Sequence, residues 1–142
     1  MEGNKGTVKD ERLATRGFWL CSTIVGMLIA LLSAAPVPDV PQLEDVPFFD
    51  KWVHFIMYAS FTFAMWLDWW RNMRWEMPSI RVIISTFVLP ALWGGLMELI
   101  QMLLPYRSGD WMDALANSFG AFLGVIISLS VWKIKEKTSE AK

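Results

Sequence analysis

Nine polar residues with the means to do chemistry fall in two short stretches of the chain. Lys51, His54 and Tyr58 follow one another at intervals of three and four, with Asp50 just before them. Glu98 and Gln101 stand three apart near the end of an apolar run, and Arg107 follows in a short turn. Asp110, Asp113 and Asn117, continued by Gly120 and Gly124, step by 3, 4, 3 and 4. That spacing puts all five on one face of a helix.

Three kinds of chemistry are open to this set. Lys51 and Arg107 can hold a phosphate or carboxylate while neighbouring acids orient them. His54 with Glu98, Asp110 or Asp113 offers nitrogen and oxygen donors of the type metals accept. One histidine without HExxH-like spacing is a weak metal signature, so no metal is assigned and no cofactor is expected. Glu98, His54 or Asp113 can serve as a general base or acid in hydrolysis or group transfer. Ser108 lacks a GxSxG setting, which argues against a serine nucleophile. Each residue also has a plainer reading. Lys51 and Arg107 can extend to an interface, Asp110 can cap a helix, and Asn117 can bond between helices with Gly120 and Gly124 allowing close contact. Glu98 resists such a reading, because it lies inside an apolar run, and an ionisable group there points by default to a site.

The elements that must position these residues follow from composition. The 142 residues are 54% hydrophobic with a mean hydropathy of +0.36 and a net charge of −1. This supports one domain, and no basic stripe or nucleic-acid motif is present. Cys21 is the single cysteine, which excludes a disulfide framework. Apolar blocks at 17–35, 51–67, 82–104 and 110–132 each approach the ~20 residues that a membrane-spanning helix needs. The first block, ending Ser33-Ala34-Ala35, also resembles a signal peptide. Pro36 after the cleavage point and the three further blocks favour its retention. The fold expected is all-α, a four-helix membrane bundle over 17–132 between polar tails at 1–16 and 133–142. The last tail is expected to be disordered.

Eleven of the 13 lysines and arginines lie in the two tails and the second loop, leaving Lys51 and Arg107 on the other side. The positive-inside rule then places both termini in the cytoplasm. Eight of nine tryptophans, all but Trp93, fall at or beyond the expected helix ends, as interfacial residues do. Three helices thus bring Lys51, His54, Tyr58, Glu98, Gln101, Arg107, Asp110, Asp113 and Asn117 to the outer end of the bundle. There they form a candidate ligand site.

These residues also resemble a family. The segment DKWVHFIMYASF at 50–61, followed by E-x-x-Q-x-x-x-P-x-R-x-x-D-x-x-D-x-x-x-N-x-x-G-x-x-x-G at 98–124, is similar to the VanZ-like bacterial membrane proteins. The resemblance implies a four-span protein of the cell envelope and carries over Lys51, His54, Tyr58, Glu98, Gln101, Arg107, Asp110, Asp113, Asn117, Gly120 and Gly124. Its namesake is associated with teicoplanin resistance. The partner expected is a membrane lipid or lipid-linked cell-wall precursor, bound by an anionic head group. The alternatives are a small intramembrane hydrolase or transferase, and a structural subunit.

Overall fold

The computed structural model describes residues 19–36, 47–73, 77–107 and 109–141. The expected 1–16 tail, residues 37–46 of the acidic loop, Trp75 and Ser108 lie outside them. The described residues form four helices: α1 (Leu20–Ala34), α2 (Phe49–Asn72), α3 (Ile80–Met102) and α4 (Trp111–Glu140). Two of them, α3 and α4, are long and apolar enough to cross a membrane. The 15 residues of α1 rise only about 22 Å, at 1.5 Å each. The fourth helix passes the expected boundary at Trp132 and stays helical through the polar 133–140 segment, all of it exposed. The Lys, Glu and Thr residues there are compatible with helix and continue one already nucleated.

Consecutive helices run antiparallel. Ser22 at the start of α1 meets Asp68 near the end of α2, and Lys51 at the start of α2 meets Asp113 at the start of α4. Gln101 at the end of α3 meets Ser33 at the end of α1. One end of the molecule therefore collects the starts of α2 and α4 and the ends of α1 and α3.

The closest packing is between α4 and α2, and its cause is the absence of two side chains. A Cβ at Gly120 would run into the Phe55 carbonyl, and one at Gly124 would stand 2.7 Å from the Ala59 oxygen. At the third helix, a Cβ on Gly94 would stand 2.9 Å from the Cβ of Asn117. Small residues let helices approach until backbone touches backbone. Polarity is inverted relative to a water-soluble core. Large apolar side chains such as Leu31, Leu92, Leu99 and Phe119 are exposed, while His54, Asp68, Glu98, Asp113 and Asn117 are buried. The tryptophans depart from expectation in the same sense. Trp66, Trp69, Trp70 and Trp132 pack into a buried cluster with Val125, away from the polar end. They lie near helix ends but face inward, and Trp66 donates to Thr86 across the α2–α3 boundary.

Both ends of α1 are capped by other helices. Its N-cap residue, Trp19, makes no side-chain cap. Asp68, fully buried, supplies one instead by accepting from the Cys21 and Ser22 amides and the Ser22 hydroxyl at 3.1, 2.8 and 2.7 Å. At the other end Pro36 has no amide hydrogen to donate to Leu32. Arg107 donates to the Leu32 and Ala35 carbonyls, Gln101 to Ser33 and Tyr106 to Ala34, so four terminal carbonyls are satisfied from the α3–α4 turn. A carboxylate at the amino end and a guanidinium at the carboxyl end both complement the helix dipole. We expect Arg107→Ala to lower the thermal stability of the purified protein by roughly 1–3 kcal/mol, the cost of leaving carbonyls unpaired. Melting in detergent checks this; an unchanged midpoint would show that water replaces the guanidinium at no cost.

Candidate functional site

The site is built at the helix ends that converge beside this turn. The first turns of α2 and α4 carry Asp50 and Asp113, where carboxylates are favoured by the exposed amides of a helix start. Asp110 is the N-cap of α4 and accepts from the Met112 amide at 3.0 Å. Lys51 Nζ lies 2.6 Å from Asp113 Oδ1, 2.7 Å from Asp110 Oδ2 and 3.4 Å from Asp50 Oδ2. One ammonium thus ties α2 to α4 through two carboxylates, Asp110 and Asp113. Asp110 precedes α4, and the hydrogen bonds it receives from Lys51 and the Met112 amide hold its carboxyl below the usual range.

His54 lies one turn further in and is buried. Its Nδ1 faces Asn117 Oδ1 at 3.0 Å and Glu98 Oε1 at 3.7 Å. Its Nε2 faces Asp50 Oδ1 at 3.7 Å and Asp113 Oδ2 at 4.0 Å. Glu98 is 4% exposed and receives the Asp110 amide at 3.2 Å through Oε2. Four buried polar atoms here, Tyr58 Oη, Glu98 Oε1, Asn117 Nδ2 and Asp113 Oδ1, have no hydrogen-bond partner among the described residues, the last being ion-paired with Lys51. Chemically this is an acid-rich cluster, with four carboxylates against one lysine and a buried imidazole between them.

A family model described as VanZ/LLP1 matches residues 12–133. The chain belongs to the VanZ/LLP1 family. No curated protein and no solved structure matches it. The VanZ/LLP1 match takes in all four helices save the end of α4, so the likeness seen at 50–61 and 98–124 extends through the chain.

In this VanZ/LLP1 protein the nine polar residues of the expected site divide into two groups. Lys51, His54, Glu98, Asp110, Asp113 and Asn117 come together, with Tyr58 buried a turn below His54 on the same face of α2. Gln101 and Arg107 do not join them: Gln101 Nε2 and Arg107 Nε and Nη2 donate instead to the last carbonyls of α1. The spacing of Gln101 could not reveal this, because its partner is a backbone atom 68 residues away. Asp50 belongs to the pocket on both sides of its carboxylate, contacting Lys51 and His54. Gly120 and Gly124 lie against the α2 backbone rather than in the pocket, and Gly94 gives Asn117 its room.

Proposed function

We propose that this VanZ/LLP1 protein is a multi-pass protein of the bacterial cytoplasmic membrane with both termini in the cytoplasm. At the outer end of a four-span bundle it holds the anionic head group of an envelope lipid or lipid-linked cell-wall precursor. The membrane reading is supported by the outward apolar surface, the buried polar residues and the length of α3 and α4. The orientation is supported by the placement of 11 of 13 basic residues in the tails and second loop. A reporter fused after residue 142 and active only in the cytoplasm should be active; a silent, stably expressed fusion contradicts the orientation.

The observation that carries the binding role is Lys51. It is the one cation among the described residues in direct contact with the pocket carboxylates, and a quarter of its side chain stays exposed beside the partly exposed Asp110. An approaching phosphate meets an ammonium already aimed by fixed acids, and the unpartnered Tyr58, Glu98 and Asn117 atoms lie behind it. A teicoplanin-type resistance would follow if the lipid were a wall precursor or if the drug's own lipid tail were the ligand. Titrating a phosphorylated envelope lipid into nanodiscs holding the protein tests the role. Lys51→Met should weaken binding ~10-fold or more, the scale of one charge-assisted hydrogen bond, and Lys51→Arg should keep most of it. Equal affinity in wild type and Lys51→Met would remove Lys51 from the site.

A further inference from the structure

The pocket poses an electrostatic problem that its lysine does not solve. Asn117 Oδ1 is an acceptor, so its 3.0 Å contact favours the His54 tautomer with the proton on Nδ1. That leaves the lone pair on Nε2. Nε2 faces Asp50 Oδ1 and Asp113 Oδ2, two more acceptors, at 3.7 and 4.0 Å. Three electron pairs therefore converge from a side chain of α2, its own first turn and the first turn of α4. These separations are too long for a hydrogen bond from a protonated ring. They are close to those in a metal site, where donors bonded at ~2.1 Å in tetrahedral array stand roughly 3.4 Å apart.

Lys51 does not compete for the same atoms. It contacts Asp113 through Oδ1 and Asp50 through Oδ2, which turns Asp113 Oδ2 and Asp50 Oδ1 toward the histidine. Asp113 and His54 are each more than nine-tenths buried, and among the described residues Nε2 and Asp113 Oδ2 meet other side chains only at 3.7 and 4.0 Å. Asp50 is 61% exposed in its side chain and opens the cluster to the aqueous side. The donor atoms of Asp50, His54 and Asp113 all lie within 4.8 Å of one another.

We infer that Asp50, His54 and Asp113 form a binding site for one divalent transition-metal cation of the zinc or manganese kind. One nitrogen and two carboxylate oxygens are donors such ions accept, and three protein ligands leave a position open to water or to a ligand oxygen. Asn117 acts as a positioning residue, holding the proton on Nδ1 so that Nε2 can donate. Lys51 positions the two carboxylates. The cation offsets the excess of acid in the pocket and adds positive charge where a phosphate would sit. In that last respect the inference deepens the head-group reading, but the site itself does not depend on it.

The test uses the full chain in lipid-free detergent micelles, stripped with a chelator, loaded with Zn2+ or Mn2+, desalted, and assayed for metal by mass spectrometry. The expected result is one equivalent per chain for at least one ion. His54→Gln and Asp113→Asn should each bind at least ~100-fold more weakly, and Asn117→Ala about 10–100-fold more weakly. His54→Gln is the deciding variant, since it leaves the Lys51 contacts in place if Asp113→Asn misfolds. Failure of both ions to bind the wild type, or undiminished binding in His54→Gln, overturns the inference. Lipid is absent throughout, so either outcome leaves the lipid titration with Lys51→Met to be judged separately.

Discussion

Asp68→Ala is expected to destabilise the protein by about 3 kcal/mol and to free α1 from the bundle. The carboxylate is fully buried and is the shared acceptor for two amides and a hydroxyl at the start of α1. Alanine leaves the Cys21 and Ser22 amides without that acceptor, while the Ser22 hydroxyl keeps the Trp19 carbonyl, and each unpaired buried group costs about 1–3 kcal/mol. The loss of charge relieves some desolvation cost, which is why the expected total is not the full sum of the penalties. Two readouts check it. The melting midpoint in detergent should fall, and Cys21, half-buried beside the lost cap, should react faster with a thiol probe. An unchanged midpoint together with unchanged labelling would show that α1 is held by its apolar packing and by Gln101, Tyr106 and Arg107 at its other end.

Gly120→Ala is the second large effect, and its sign is informative. In an isolated helix alanine is favoured over glycine by about 1 kcal/mol. In the bundle, the added methyl falls on the Phe55 carbonyl of α2, a backbone atom that cannot rotate away. Overpacking of this kind costs about 1–3 kcal/mol, so the net change should be destabilising despite the gain in propensity. Gly95→Ala is the control. Nothing lies within 4 Å of its Cβ position, and there the propensity gain should appear unopposed. Melting of the two variants side by side should move the midpoint in opposite directions. A stabilised Gly120→Ala would contradict the close α2–α4 contact, and with it the alignment of Lys51 with Asp113.

The sequence made the α2–α4 half of the site legible because its signals are local. Lys51, His54 and Tyr58 share a helix face by spacing, and so do Asp110, Asp113, Asn117, Gly120 and Gly124. Glu98 announced itself as a carboxylate in an apolar run. What spacing could not carry was any partnership with backbone atoms of a distant helix. Gln101 and Arg107 read as site residues by proximity in sequence, and in the structure they donate to the last carbonyls of α1. Asp68 falls just past the apolar 51–67 block, yet lies fully buried beneath α1. One clue was available: Pro36 after α1 deprives Leu32 of its helical donor, so some other group had to supply one. The tryptophans misled for a related reason. Position near a helix end says nothing about which way a ring faces, and Trp66, Trp69, Trp70 and Trp132 face one another. The helical 133–140 tail was obscured by its polarity, because a helix extending beyond its packing partners needs no apolar face.

The most direct measurement of the central claim is native mass spectrometry of the wild-type protein released gently from bacterial membranes, beside Lys51→Met prepared in the same way. A discrete extra mass matching a phosphorylated envelope lipid on the wild type, absent from the folded variant, is the predicted result. A wild type that carries no lipid adduct beyond those of any membrane protein, or a variant that keeps the same adduct, would contradict it.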